Sequence, residues 1–351
     1  MKRVQTAAYV IDPRLPGGTS SAVAEELRVM KQRFNLKVHG LKTQMFKGDE
    51  IAPQLDSVLR ELELTLAWDT PVIQADLVIF HNPSVLKFDD AMRYRIITKR
   101  LIVVAHENFL RSGDREGFDV AKCIDLIDGC VLTTEKVIAP ISALNRKTVD
   151  DWMAQNAIAP GWKVAEQDWF NICDFKLAGP TPAPQDRRGR LSRPGREKFP
   201  SLEHMDLCFP EHAAANVILG ANTFIDDEIY RPHWTLFPFR QLDVEQFMSM
   251  IDFMVYFTAP TWRESFGRVI AESIAAGKVV ITDPQTASNF GDGPIAAPPE
   301  QVDSIIDGYL TDHSAYRDQV ALGQAALARF SPAAFLKMID ELTRNPSGIA
   351  A

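Results

Sequence analysis

A chain of 351 residues is too long for one ordinary hydrophobic core and suits two domains. Its 46% hydrophobic and 24% charged residues are typical of a globular protein, and the net charge of −8 argues against a nucleic-acid partner, which would favour a basic surface. No apolar run approaches the length of a membrane span, and no signal-peptide pattern opens the chain.

The first half of the chain alternates between strand-like and helix-like segments. The predicted strands are Val4–Ile11, LKVHGL, ADLVIFH, Arg100–His106 and GCVLTT. The predicted helices are TSSAVAEELRVMKQRF, APQLDSVLRELELTLA, SVLKFDDAMRYRIITK and EKVIAPISALNRKTVDDWMAQN. This alternation indicates βαβ units and a mainly parallel sheet. The four cysteines form no C-x-x-C pair, so we expect reduced core thiols in a cytoplasmic protein.

A segment rich in proline and glycine, Leu177–Gly195, has the composition of a linker. The alternation resumes after it, with strands at NVILGA, WTLFPF, DFMVYFTAP and GKVVIT and helices at LDVEQFMSMI, SFGRVIAESIAA, AYRDQVALGQAALARF and PAAFLKMIDELTR. The predicted fold class is therefore α/β, with two Rossmann-like domains facing across a cleft. We expect one domain at residues 1–178, a second at 187–330, and a C-terminal helical segment at 331–351 that packs back toward the first.

A glycine pair, Gly17-Gly18, stands between the first strand and a helix whose N-cap we place at Thr19 or Ser20. Glycine lets the backbone approach a ligand closely, and a helix start presents N–H groups to an anion or a sugar oxygen. The pattern is not the G-x-G-x-x-G dinucleotide fingerprint. A plain tight turn is the alternative.

A basic cluster, Arg187–Lys198, holds five arginines and one lysine against one glutamate. Such cations beside a domain boundary suit a phosphate or diphosphate group, and Gly189 and Gly195 let the backbone bend around it. A solvated basic linker is the alternative.

The most informative stretch is PTWRESFGRVIAESIAAGKVVIT, Pro260–Thr282. We predict a helix capped near Ser265 and running to Ala276, which would place Glu264 and Glu272 along one ligand. Carboxylates accept hydrogen bonds from sugar or ribose hydroxyls. The alternative is one acid beside the helix dipole and one exposed helix glutamate.

The E-x7-E spacing, the Phe-Gly pair and the AAGKVVIT ending resemble the signature of retaining glycosyltransferases with the GT-B fold, similar to glycosyltransferase family 4. The resemblance covers most of the chain. In chain order, the segments that resemble that family are PGGTSSAVAEEL, VVAHENF, FNICDF, GRLSRPGREKFP and LDVEQFMSMIDFMVYFTAP. Arg268 departs from it, because the family usually has an aliphatic residue after Phe-Gly.

The resemblance implies a role for each candidate residue. Arg193 and Lys198 would neutralise the departing nucleotide diphosphate, with Arg190 as an alternative to Arg193. Glu264 would hold hydroxyls of the donor sugar, and Glu272 those of the ribose. The remaining contacts would be backbone amides at Ser265, Phe266 and Gly267, the nucleobase contacts Phe239 and Arg240, the sugar contact His106, and Gly18 beneath the sugar and phosphates.

The implied reaction moves a sugar from a nucleotide-diphosphate donor, such as a UDP- or GDP-sugar, to a glycan, lipid-linked or small-molecule acceptor with retention, as in polysaccharide biosynthesis. We expect no cofactor and no metal, because the chain has no D-x-D triplet. The alternatives are a non-catalytic nucleotide-sugar-binding subunit and a nucleotide-sugar epimerase of the same fold. A basic helix predicted over Ala91–Arg100 could rest on an anionic inner membrane, with a solvated helix face as the alternative.

Overall fold

A computed structural model describes residues 5–344 of the chain. It divides into two compact units. Unit 1 comprises the described residues of Met1–Ile172 and Pro332–Ala351, and unit 2 is Cys173–Ser331. Over the described range, no helix combines the length and apolar character that crossing a membrane requires. The four cysteines are buried and none forms a disulfide, which confirms that they are core thiols.

Unit 1 alternates strands and helices. Its strands are Thr6–Ile11 (β1), Asn35–Gly40 (β2), Leu66–Trp68 (β3), Val72–His81 (β4), Arg95–Ala105 (β5), Val131–Leu132 (β6), Glu135–Pro140 (β7) and Trp162–Val164 (β8). Its first four helices are Gly18–Met30 (α1), Pro53–Glu61 (α2), Val120–Asp128 (α3) and Ala143–Gln155 (α4). Val4, the first residue of the first predicted strand, lies outside the described residues.

The sheet of unit 1 is parallel, with strand order β3-β2-β1-β4-β5-β7-β8 and β6 paired to β5. Its centre is buried on both faces: residues 77–80 of β4 and 101–105 of β5 are at most 5% exposed. This burial explains why these strands read as continuous apolar runs in the sequence. The strand order reverses between β1 and β4.

The helix predicted through Ala91–Arg100 is wrong, because residues from Arg95 onward form β5. The sequence here alternates charged and apolar residues and contains the β-branched run Ile96-Ile97-Thr98, which favours a strand. The amphipathic helix on which membrane contact was predicted is therefore absent from this part of the described chain. The helix predicted from Glu135 likewise begins only at Ala143, after β7.

Unit 2 repeats the plan with shorter strands. They are Arg187–Leu191 (β9), Ala215–Leu219 (β10), Trp234–Phe237 (β11), Phe253–Tyr256 (β12), Val279–Thr282 (β13) and Ile295–Ala296 (β14). The helices are Leu202–Cys208 (α5), Asn222–Asp226 (α6), Val244–Ser249 (α7), Arg268–Ala275 (α8), Pro284–Ser288 (α9), Val302–Thr311 (α10) and His313–Leu327 (α11).

The sheet of unit 2 is parallel, with strand order β11-β10-β9-β12-β13-β14. The order reverses between β9 and β12, which are paired through Arg188 with Phe253 and Gly189 with Met254. The segment Leu177–Gly195 is thus not a linker throughout, because its second half supplies the central strand β9. Gly189 allows close packing there, since a Cβ at this position would lie 2.5 Å from Ile251.

The last helix, Pro332–Arg344 (α12), belongs to unit 1. The ring of Phe335 meets that of Trp169 edge-on at 5.3 Å between centroids, and Asp340 pairs with Arg33 at 3.0 Å. Residues 345–351 of the predicted C-terminal segment lie outside the described residues.

Candidate functional site

A group of charged and aromatic side chains in unit 2 lies where the strand order reverses. In open parallel sheets ligands bind beyond the carboxyl ends of the strands at such a point. The chain leaving β9 passes through residues 192–195 into a single 3-10 turn, Arg196–Lys198. The chain leaving β12 passes through residues 257–267 into α8. These two connections carry the residues described next.

Lys198 and Glu264 form a largely buried ion pair. The Lys198 Nζ lies 2.7 Å from the Glu264 Oε2, and the two side chains are 7% and 16% exposed. The Tyr256 hydroxyl donates to the same oxygen at 3.0 Å. Burial alone would raise the pKa of Glu264, but the charge of Lys198 and hydrogen bonds from Lys198, Tyr256 and Trp262 lower it below the ordinary value. Glu264 is therefore held as a carboxylate.

The indole ring of Trp262 joins two cations. The Lys198 Nζ lies 4.6 Å from the ring centroid, and the Arg193 Cζ lies 5.6 Å from it. Both fall within the range of a cation–π interaction. Arg193 is about half exposed and also pairs with Glu197 at 3.0 Å. The fold thus brings Arg193, Lys198 and Glu264 together around one tryptophan that sequence reasoning missed.

The other arginines of the basic cluster have structural partners. Arg190 is 1% exposed, its guanidinium lies 4.6 Å from the ring centroids of both Phe199 and Tyr256, and it donates to the Lys198 carbonyl. Burial lowers the pKa of Arg190. Arg190 is thus buried between two aromatic rings, whereas Arg193 is half exposed beside Trp262. The other three pair with carboxylates: Arg187 with Asp252, Arg188 with Asp186 and Asp303, and Arg196 with Asp227.

Helix α8 begins at Arg268, and its N-cap is Gly267, two residues after the predicted cap near Ser265. Gly267 occupies the N-cap with φ of 91°, a conformation that side chains rarely adopt. The ring of Phe266 turns into the core against Phe290 and Phe330, at 5.3 and 5.4 Å between centroids. These contacts hold the loop that presents Glu264.

Glu272, the second acid of the E-x7-E pattern, is engaged by a helix neighbour. The Arg268 Nε donates to the Glu272 Oε1 at 3.0 Å, and both side chains are about one-fifth exposed. Burial raises the pKa of Glu272, and the charge of Arg268 opposes this rise. The Arg268 guanidinium also lies 5.0 Å from the ring centroid of Phe175. Arg268, the residue that departs from the family pattern, is therefore paired with Glu272.

Phe239 and Arg240 follow β11, the edge strand on the β9 side of the sheet. Phe239 is 37% exposed, and Arg240 stacks on its ring at 5.4 Å. The Asn222 side chain accepts from the Phe239 amide at 2.8 Å. With strands about 4.8 Å apart, these residues lie about 10 Å laterally from β9 along the same sheet edge.

Unit 1 carries a second group of candidate residues at the reversal of its own sheet. Gly17 has φ of 91° and caps α1, which begins at Gly18, so the predicted caps Thr19 and Ser20 lie inside the helix. Both glycines are exposed, and a Cβ at either would meet nothing within 4 Å. His106, directly after β5, is 9% exposed, and its Nε2 lies 2.9 Å from the Nδ1 of His81.

His81 and His106 belong to a buried polar group that also contains Tyr9 and Glu26. The His81 Nε2 lies 3.4 Å from the Glu26 Oε2, and Tyr9 donates to that oxygen at 3.4 Å. The rings of Tyr9 and His81 stack at 5.4 Å. Burial, followed by the charge of His81, lowers the pKa of His106 well below its ordinary value. His106 is thus neutral at physiological pH.

Comparison with models of known protein families and with curated protein sequences finds no match. Solved structures do match in fold. HepE of Anabaena, in complex with UDP and glucose, superposes with a TM-score of 0.68 at 15% identity over 97% of this chain and 100% of that one. The chain has the GT-B fold.

Two further solved structures also match the chain in fold. The pneumococcal O-GlcNAc transferase GtfA, in complex with UDP and GlcNAc, gives a TM-score of 0.61 at 12% identity over 99% of this chain and 100% of that one. Sucrose-phosphate synthase from Thermosynechococcus elongatus gives 0.58 at 13% identity over 97% and 99%. The prediction of two Rossmann-like domains of GT-B type is confirmed.

Proposed function

We propose that the protein is a glycosyltransferase that takes a sugar from a nucleoside-diphosphate sugar and transfers it, with retention of anomeric configuration, to a glycan, lipid-linked or small-molecule acceptor. The observation that carries the proposal is the joining of Arg193, Lys198 and Glu264 around Trp262 at the strand reversal of unit 2. Two cations at one place suit the diphosphate of such a donor, and the fixed carboxylate beside them suits its sugar.

The chemistry asks for stabilisation of negative charge as the sugar–phosphate bond breaks. Preorganised cations supply this most effectively where water is excluded. Lys198 is nearly buried and held by Glu264 and Trp262, so its position changes little when a ligand binds. We infer that Lys198 contacts the diphosphate and that Arg193, half exposed, closes on its outer side. No metal is required in this scheme.

Glu264 serves as the acceptor for donor-sugar hydroxyls. A carboxylate has about four lone-pair sites, and Lys198 and Tyr256 use one oxygen, Oε2. Trp262 also hydrogen-bonds to this carboxylate, and the lone pairs that remain would accept from the sugar. By the same reasoning we assign the ribose hydroxyls to Glu272, which Arg268 orients, and the nucleobase to the stacked pair Phe239 and Arg240.

The neighbours suggest which donors to try first. The HepE and GtfA structures hold UDP together with glucose or GlcNAc, so UDP-sugars are the leading donor class for this chain. In unit 1 we propose that Gly18 and His106 bind a sugar-bearing ligand at the carboxyl edge of that unit's sheet.

The test is nucleotide release and product formation by the purified protein with UDP-, GDP- and ADP-sugars, alone and with candidate acceptors. We expect one donor class to be turned over by the wild type and not by Glu264→Gln. Binding without turnover would instead support a nucleotide-sugar-binding subunit, and interconversion of the donor sugar would support an epimerase. If the protein neither binds nor turns over any of these donors, the proposal is contradicted.

A further inference from the structure

The loop that follows β9, residues 192–198, carries one acid among its cations. Glu197 stands directly before Lys198, and its Oε1 lies 3.0 Å from the Arg193 Nη2. The Glu197 side chain is 35% exposed and that of Arg193 is 51% exposed. A carboxylate at this place repels a diphosphate, which the surrounding cations attract. Glu197 therefore opposes the binding that the rest of the loop favours.

The Arg193 side chain is turned toward its own loop. Its Nη1 donates to the Pro194 carbonyl oxygen at 3.1 Å, and its Nη2 faces Glu197. The indole of Trp262 lies on another side, with 5.6 Å between the ring centroid and the Arg193 Cζ. An arginine binds a phosphate best through two parallel N–H groups. Because the loop engages both terminal nitrogens, a diphosphate that Arg193 binds in this way competes with Glu197 for them.

The backbone around Glu197 is fixed independently of its side chain. The Ala259 amide donates to the Glu197 carbonyl oxygen at 3.2 Å, and the Lys198 amide donates to that of Gly195 at 3.0 Å. Gly195 leaves room for the carboxylate, since a Cβ there would lie 2.5 Å from the Glu197 Oε1. The two backbone bonds do not involve the carboxylate. It can therefore swing into solvent while the turn that positions Lys198 stays in place.

We propose that Glu197 is an intramolecular competitor of the donor: its carboxylate holds Arg193 against the loop until the diphosphate takes its place. This inference rests on the proposed function for the identity of the ligand. A carboxylate carries a single negative charge and a diphosphate carries more, so the diphosphate prevails in the exchange. The exchange weakens the binding of the donor and of the released nucleotide alike. Glu197 thus acts through Arg193 as a positioning residue that favours nucleotide release.

The opposite role would be that Glu197 orients Arg193 toward the ligand. The two roles differ in the sign of one effect, because removing a competitor tightens binding and removing an orienting group weakens it. General damage to the loop would also weaken binding. Tighter binding is therefore a result that a merely structural role of Glu197 does not produce.

The test is the dissociation constant, measured by isothermal titration calorimetry on the full chain with UDP, GDP, ADP and inorganic pyrophosphate as probes. Glu197→Gln keeps the size of the side chain and removes its charge. We expect this variant to bind pyrophosphate and the tightest-binding nucleotide about fivefold more tightly than the wild type, which is the upper range for an exposed ion pair. Equal or weaker binding by Glu197→Gln would overturn the proposal.

Asp227→Asn is the matched control. Asp227 pairs with Arg196 of the same turn at 2.8 Å, so this variant removes one negative charge nearby without touching Arg193. We expect its dissociation constants to match those of the wild type. Equal tightening in Asp227→Asn and Glu197→Gln would mean that only the net charge of the loop matters, which would overturn competition for Arg193.

A second comparison uses the Arg193→Ala background. There Glu197 has no guanidinium to hold, so adding Glu197→Gln should change the dissociation constants by less than about twofold. A fivefold tightening in that background would show that Glu197 acts on the ligand directly, and it would overturn the proposal.

The outcomes separate this inference from the proposed function. Tighter binding by Glu197→Gln in a protein that transfers sugar from no donor would support the competition and contradict only the proposed function. Sugar transfer with unchanged binding by Glu197→Gln would contradict only the competition. If neither the wild type nor Glu197→Gln binds any of the four probes, both are overturned.

Discussion

The ammonium group of Lys198 lies 2.7 Å from a carboxylate oxygen of Glu264, although the two residues are 66 positions apart in the chain. The pair forms because β9 and β12 are neighbours and the chain leaves both at the same sheet edge. A buried ion pair with a tyrosine hydroxyl on one oxygen and an indole beside the ammonium is a rigid arrangement. We regard it as the centre of the donor site.

The first prediction concerns Lys198→Met. Removing the ammonium leaves Glu264 as an uncompensated buried charge, so the free energy of unfolding should fall by about 3 kcal/mol. The loss of charge stabilisation should lower kcat about 10²-fold or more. Urea unfolding and donor turnover measure the two effects.

The double variant Lys198→Met/Glu264→Gln is the control for that experiment. It removes both charges, so stability should recover relative to Lys198→Met while activity stays lost. Recovery of both would show that the pair is structural and would argue against a catalytic role.

The second prediction separates Arg193 from Arg190. Arg193→Ala removes a half-exposed side chain, so stability should change by less than about 1 kcal/mol while the donor KM rises about tenfold or more. Arg190→Ala removes a guanidinium packed between two aromatic rings and should cost roughly 2–4 kcal/mol of stability. If Arg193→Ala left KM unchanged, the diphosphate contact would have to be reassigned.

The third prediction uses the helix start at α8. Gly267→Ala forces a side chain into φ of 91°, which should cost about 1–2 kcal/mol and displace the Glu264 loop, so that activity falls with stability. Gly308→Ala is the matched control, because this exposed glycine lies within α10 with open space around it and alanine favours a helix. Gly308→Ala should unfold at an equal or higher temperature than the wild type. Equal melting temperatures for Gly267→Ala and the wild type would refute the reasoning.

The fourth prediction concerns Arg268 and the pKa of Glu272. Burial raises this pKa and Arg268 opposes the rise, so Arg268→Met should raise the pKa further. A protonated carboxyl accepts fewer hydrogen bonds, and the donor KM of Arg268→Met should therefore climb more steeply than that of the wild type between pH 7 and pH 5.5. In Glu272→Gln the side chain cannot ionise, so this rise in donor KM at low pH should be missing. Parallel profiles for Arg268→Met and the wild type would exclude an effect through Glu272.

The fifth prediction is a pH dependence of stability from His106. Burial depresses its pKa well below the ordinary 6.5, so the unfolded chain binds a proton that the folded one does not as pH falls below 6.5. The contribution of His106 to the free energy of unfolding is therefore fully present above pH 6.5. It is lost as the pH falls below 6.5, by at most about 1.4 kcal/mol per pH unit. Urea unfolding at pH 7.5 and 5.5 should show a smaller difference for His106→Gln than for the wild type. An unchanged difference would mean that His106 is protonated in the fold.

The sequence predicts the layout of the fold well, because buried parallel strands appear as uninterrupted apolar runs such as residues 77–80 and 101–105. It fails at β5, whose amino-terminal part is exposed on alternate residues and so carries charges that resemble a helix surface. It also fails at Arg187–Leu191, where a run of arginines conceals a central strand. Arginine can lie inside a sheet when a carboxylate or aromatic ring is present, and those partners come from distant parts of the chain.

The same distance limits what sequence predicts about the site. The family resemblance singles out Lys198, Arg193 and Glu264, but not their partners Tyr256 and Trp262, since neither stands out from an ordinary core aromatic. The only local signal was Trp262 two residues before Glu264. Likewise His81 and His106 are 25 residues apart, and only the pairing of β4 with β5 brings their rings together.

The account is tested most directly by nucleoside-diphosphate binding to the folded protein. A ligand that binds only the folded state raises the melting temperature. We predict that UDP, GDP or ADP at millimolar concentration raises the melting temperature of the wild type and not that of Lys198→Met/Glu264→Gln. No shift with any of the three, or an equal shift in the double variant, would contradict the placement of the donor at Lys198 and Glu264.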